Sequence, residues 1–231
     1  MADFLKSCVR KDSAYRIISI IMILSAVAKW IHFVRTDIIN LALYSYGYTE
    51  FLISYAGGFV RRGLAGELLT GITEATGIPP QYIIIVICLA AYFAVLCFFL
   101  KSFRKKGYSW WIILSPLLCG FICCIIRKDY LLYCIMIGML YLVRDSQPSV
   151  MKRCLATLLG VFGLFLHEAF IFWGIPVFAL VLLTQKGQLK TNILMLGLIL
   201  ATFGVQCVFK GNSEIAHAIV NSWNDVLPHG A

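Results

Sequence analysis

Charge is what this chain lacks. Only 13% of its residues are Asp, Glu, Lys or Arg, while 61% are hydrophobic; a soluble domain carries about a quarter charged residues. Acids are the scarcer sign, eleven against twenty Lys and Arg. In a soluble protein the resulting net charge of +9 would suggest a nucleic-acid partner. Here the placement of the cations accounts for it, and no nucleic acid is expected. Histidine is rare as well: of four, His217 and His229 fall in the C-terminal tail. The segment His167-Glu168-Ala169-Phe170-Ile171 lacks the second histidine of a HExxH zinc motif, so no metal is expected. Most of the nine cysteines lie in apolar runs, where Cys acts as a small hydrophobe. Cys119, Cys123 and Cys124 lack the paired spacing of a zinc site, and no disulfide is indicated. No GxSxG, P-loop or Rossmann fingerprint, internal repeat or low-complexity tract occurs.

What the chain has instead is long apolar runs punctuated by cations. A spanning helix needs about 20 apolar residues. The candidate spans are 17–34, 80–100, 109–126, 130–143, 154–166, 169–185 and 191–209. Basic blocks at 1–16, 101–108, 144–153 and 185–190 hold thirteen of the twenty Lys and Arg against three acids. They occupy every second break, so the positive-inside rule places all four on the cytoplasmic side. The expected fold is all-α: a polytopic membrane helix bundle of about seven spans in a single domain, 1–231. Its N-terminus is cytoplasmic and its C-terminus periplasmic, in a bacterial inner membrane. Ile17–Leu24 followed by Ala26-Val27-Ala28 imitates a signal peptide. The apolar run continues to Val34, however, and favours an uncleaved first span. The chain stops soon after its last span, which fits a truncated or split form.

Several spans are short. Segments 109–126 and 130–143 meet at Arg127-Lys128-Asp129, and 154–166 and 169–185 meet at His167-Glu168. Helices this short rise less than the roughly 30 Å of a bilayer core, so both hinges are expected below the outer surface, at the floor of a cavity. The alternative is one long tilted helix over 154–185 with His167-Glu168 near its middle. The outer loop 35–79 begins with an aromatic segment (Tyr44, Tyr46, Tyr48, Phe51, Tyr55) that suits the headgroup level. After Gly57-Gly58, the residues Leu64, Leu68, Leu69 and Ile72 recur at helical spacing and predict an amphipathic helix on the membrane surface. Gly77-Ile78-Pro79-Pro80 ends that helix.

Three outer-face clusters carry candidate chemistry. In Gly57-Gly58-Phe59-Val60-Arg61-Arg62-Gly63, two guanidiniums can grip phosphate oxygens bidentately. Gly57 and Gly58 would let backbone N–H groups approach an anion. The bland alternative is an interfacial anchor on lipid phosphates. Arg127-Lys128-Asp129 sets a carboxylate beside two cations: either a self-neutralised helix cap, or Arg127 or Lys128 on an anion with Asp129 orienting a cation or hydroxyl. His167-Glu168 is a buried pair in which burial would raise the carboxylate and favour neutral imidazole, suiting acid/base work. Its alternative is a structural hydrogen-bonded pair. Lys29 and His32, near the outer end of the first span, read as snorkelling residues.

With these motifs set between spans, residues 35–185 resemble bacterial surface-polysaccharide polymerases, the Wzy and EpsG-like families of O-antigen and capsule synthesis. They are also similar to the polytopic glycosyltransferases that use polyprenyl-linked sugars. Those families usually have more spans and a longer outer loop. The resemblance implies a polyprenyl-diphosphate-linked glycan as substrate, with no cofactor, among membrane lipids and other polysaccharide-assembly proteins. It implies Arg61 and Arg62 on the diphosphate, supported by Arg127 and Lys128. Glu168, or else Asp129, would be the base, with His167 orienting or relaying. A transporter or flippase for an anionic lipid-linked substrate and a non-catalytic membrane subunit are the alternatives. The enzyme is favoured because no comparable buried charge is evident near the inner face.

Overall fold

Every regular element among the described residues is helical, as the long apolar runs require. The computed structural model describes residues 20–21, 24–25, 27–29, 31–39, 46–105, 126–145, 147–185 and 188–226. The described part of the first candidate span is helical and loosens into a π-helical turn at Val34–Ile39. The elements that follow are α1 (Tyr46–Phe51), α2 (Gly63–Thr76), α3 (Pro80–Lys105), α4 (Asp129–Leu142), α5 (Val150–Leu166), α6 (Phe170–Leu183), α7 (Leu189–Val208) and α8 (Ser213–Val226). Of the expected span 109–126, residues 109–125 lie outside the described residues.

Local chemistry sets the ends. Gly77 closes α2 in a left-handed conformation and donates its N–H to Thr73 O. Pro80 then opens α3, where a missing N–H costs nothing. That helix runs five residues past the expected end at 100 and takes in Lys101, Arg104 and Lys105. Lys and Arg are good helix formers and let the helix continue. Ser149 caps α5 by accepting from Lys152 N, so that helix starts before the expected 154.

Two helices, Pro80–Phe99 within α3 and Leu189–Val208, are each 20 residues long and apolar enough to cross a membrane. α4 and α6 are equally apolar but have 14 residues each, a rise of about 21 Å. The core centres on α4, which packs on α5, α3 and α6, while α7 packs on α5. Leu132, Met139, Leu164, Phe170, Phe178 and Ile199 are fully buried there. Outward-facing Phe172, Leu180, Leu183 and Val208 remain largely exposed, which suits a surface that meets lipid rather than water.

His167 is extended, at φ −162° and ψ 120°, and separates α5 from α6. The single-helix alternative over 154–185 is therefore overturned. The new helix starts at once, with Phe170 N on His167 O and Ile171 N on Glu168 O. One other expectation changes: Tyr48 and Phe51 are buried in the core rather than lying at an interface. The C-terminal tail forms α8; Asn212 Oδ1, just ahead of it, accepts from Ile215 N, and Trp223 Nε1 donates to Leu52 O.

The end of the bundle away from the hinges also holds a buried charge, against expectation. Arg153 is only 4% exposed. It donates to Pro148 O and to Asn192 Oδ1, and Asn192 donates to Leu182 O. Gln185 reaches Val143 O beside them. The knot saturates carbonyls at the C-terminal ends of α4 and α6, where the helix dipole is negative. Arg153→Met should leave Pro148 O and Asn192 Oδ1 without their donor and cost about 2–4 kcal/mol, read as a lower unfolding midpoint in detergent.

Candidate functional site

At the hinge end, four segments bring charge together. Arg62 is the hub. Its Nε donates to Glu168 Oε2 at 2.6 Å, and a terminal nitrogen donates to Glu168 Oε1, so the guanidinium and carboxylate engage as a two-pronged fork. The second terminal nitrogen lies 3.6 Å from Glu50 Oε1. Arg61 lies 3.6 Å from Glu168 Oε1 and is 43% exposed, the most open cation of the group. His167 Nε2 sits 2.8 Å from Glu50 Oε1, without good hydrogen-bond alignment. Lys128, buried at the start of α4, faces the Phe51 ring at 5.5 Å.

The loop that carries Arg62 is held from several sides. Arg62 has φ +68°, a conformation that costs a non-glycine residue of order 1 kcal/mol or more and concentrates at functional sites. It caps α2 at its first turn. Gly66 N donates to Ile53 O, and a side chain at Gly66 would collide with that carbonyl. Arg61 N donates to Phe209 O, and Phe59 packs against Tyr55, Phe165 and Phe209. Gly57 and Gly58, expected to offer backbone N–H groups to an anion, are used otherwise. Gly58, at φ +115°, donates its N–H to Tyr55 O in a tight turn. Gly57 has no room for a side chain against Ile215 of α8.

Arg127 and Asp129 stand apart from the hub. Arg127 Nε binds Asp129 Oδ2 at 2.8 Å, and both are more than a third exposed, so the two neutralise each other at the start of α4. Only Lys128 of that triplet turns inward. Glu50 is the functional candidate that sequence reasoning missed. It is 5% exposed, and its one visible signal was a lone acid inside an aromatic segment.

Electrostatics reverses the upward shift expected for Glu168. Burial pushes its carboxyl up, but the Arg62 fork, its own backbone N–H and the charges of Arg62 and His167 outweigh that and hold it below the ordinary carboxylate range. Glu50 behaves alike: burial raises it, while the His167 contact and the charges of Lys128, His167 and Arg62 bring it lower. Both are ionised carboxylates. Burial pushes the Lys128 amine down to about 8 against the pull of Glu50, with Arg62 lowering and Glu168 raising it further. His167 Nδ1 accepts from Ala169 N at 3.1 Å, which leaves the proton on Nε2, facing Glu50. His167 therefore positions Glu50 and has no free lone pair for a relay.

The cluster gathers three cations and two carboxylates, a composition that favours an anion. Among the described residues, no group of His, Cys, Asp and Glu is arranged to hold a metal.

Residues 15–204 match the model of a protein family described as uncharacterised membrane protein Rv1490. That description carries a membrane assignment and names no activity. No curated protein and no solved structure matches the chain.

Proposed function

We propose that this chain, which belongs to the uncharacterised membrane protein Rv1490 family, transfers glycan from a lipid-diphosphate-linked oligosaccharide during surface-polysaccharide synthesis. The site works at the outer face of a seven-span bundle in a bacterial cytoplasmic membrane. The observation that carries this reading is the cation excess around the Arg62–Glu168 fork, with Arg61 left partly open beside it. Preorganised cations of this kind stabilise a diphosphate as its charge develops. Exposed Phe59, Leu68 and Ile72 nearby offer a path for a polyprenyl chain.

In the reaction, the bond from the sugar's anomeric carbon to the diphosphate oxygen breaks, and the diphosphate leaves with the electron pair. The acceptor hydroxyl oxygen bonds to that carbon, and its proton passes to a carboxylate of the cluster. Arg61 grips the diphosphate. Arg62, fixed by Glu168, sets its position. Arg127 and Asp129, paired with each other, drop out of the mechanism.

The test is surface-polysaccharide chain length on gels in a deletion strain complemented with wild type or Arg61→Ala at matched membrane levels. Loss of the long-chain ladder in Arg61→Ala, with single repeat units still at the surface, is the expected result. Loss of all surface polysaccharide would instead mark the chain as an exporter. A wild-type ladder from Arg61→Ala would remove the site.

A further inference from the structure

The first span carries a polar face that the Arg62 cluster does not use. Ser25, Ala28, Lys29 and His32 line a cavity of about 450 Å³, and all four are exposed. At about 100° per residue they share one side of the helix. Thr36 continues that side, with its hydroxyl donating to His32 O. Phe33, on the adjoining flank, is buried in the core cluster that holds Tyr48 and Phe51, so the cavity opens beside the line where this helix docks on the bundle. Exposed Leu24, Val27, Ile31 and Val34 recur at spacings of three and four on the other side of the helix, as suits a surface that meets lipid.

The charge of this face has one sign. Residues 13–36 contain no acid, and the next one in sequence is Asp37. Among the described residues, no hydrogen bond or ion pair engages the side chain of Lys29 or of His32. An ammonium, an imidazole N–H and a hydroxyl are donors for the oxygens of a phosphate. The order along the face decides which phosphate. Exposed Ile21 lies one turn below Ser25 on the same side, and from there to His32 the lining passes from apolar through hydroxyl to cationic over about 16 Å. That is the order of a phospholipid from acyl chain to headgroup, and a free phosphate would have no use for the apolar part. We propose that this cavity is a binding site for one anionic phospholipid. Lys29 pairs with its phosphate, His32 and Ser25 hydrogen-bond the headgroup oxygens, and the acyl chain runs down over Ile21. The site stands whether or not the Arg62 cluster transfers glycan. It differs from ordinary snorkelling, which would show no preference between headgroups.

The experiment is native mass spectrometry of the full chain in detergent, titrated with phosphatidylglycerol or with phosphatidylcholine of the same acyl chains. Wild type should take up its first phosphatidylglycerol about tenfold more tightly than phosphatidylcholine. Lys29→Gln should cut that preference about fivefold, the usual worth of one cation beside an anionic headgroup. The double variant Lys29→Gln/His32→Gln should abolish it, and Lys29→Arg should keep it. All these positions are exposed, so unfolding midpoints should not change. Arg61→Ala should retain the preference, because the Arg62 cluster is a separate site. Equal affinity of wild type for the two lipids would overturn the proposal and leave a snorkelling lysine. A preference lost in Arg61→Ala but kept in the double variant would move the lipid to the Arg62 cluster and overturn it too. Release of the bound lipid by excess inorganic phosphate would show a site for soluble anions instead.

Discussion

Arg62→Ala should lower stability by about 3–5 kcal/mol, the cost of breaking one side of a buried ion pair. Glu168 would lose its fork and Glu50 its nearest guanidinium, leaving side chains only 12% and 5% exposed with the more distant Arg61 at Glu168 and the His167 contact at Glu50. Arg62→Gly should be milder than Arg62→Ala by about 1 kcal/mol, because glycine adopts positive φ freely and this position has φ +68°. The difference between the two variants isolates the backbone strain, and what they share isolates the ionic part. Acidity gives a second handle. The folded-state carboxyls of Glu50 and Glu168 lie below their ordinary value of 4.5. Their stabilisation is therefore complete above that pH and is lost as pH falls further and the folded carboxyls protonate. Unfolding midpoints of wild type and Arg62→Ala, followed from pH 7 down through 4.5, should converge. A constant gap over that range would mean that the fork does not hold these carboxylates ionised.

Much of the bundle was legible because burial in lipid demands a simple pattern. A run of 20 apolar residues leaves few options, and α3 and α7 lie close to where the runs predict them. The break between α5 and α6 was marked by the only ionisable pair in a long apolar stretch, although sequence alone left a single helix open. Burial of Tyr48 and Phe51 was not legible. An aromatic segment looks the same whether it lies at the headgroups or under a neighbouring helix, and only tertiary packing decides. The same ambiguity hid Glu50. Arg127-Lys128-Asp129 shows a second limit. Neighbouring side chains at a helix start point about 100° apart, so one turned into the core and two turned out, and composition cannot say which. Gly57 and Gly58 did mark an irregular loop, but the constraint comes from α8 and from a turn closed on Tyr55, neither of which a local reading contains. The four basic blocks gave no hint that Arg153 would be buried, because its partners are carbonyls and Asn192.

Lys128→Met should make the protein more stable, by about 1–3 kcal/mol at pH 7. Burial moves this amine from 10.5 to about 8, a penalty of roughly 3 kcal/mol. Methionine has nearly the same length and carries no charge to desolvate; the pull of Glu50 on the amine is already contained in the value of about 8. The unfolded chain holds a proton on this lysine between pH 8 and 10.5 that the folded chain has released, so the penalty is full below pH 8 and fades as pH rises toward 10.5. The advantage of Lys128→Met over wild type should therefore shrink to roughly half by pH 9.5. Comparing the two unfolding midpoints at pH 7 and 9.5 cancels the other groups that titrate in this range. A destabilised Lys128→Met at pH 7 would mean that the amine is a structural counter-ion for Glu50. A stabilised but inactive one would show a residue kept at a cost to the fold, as expected of a group retained for chemistry.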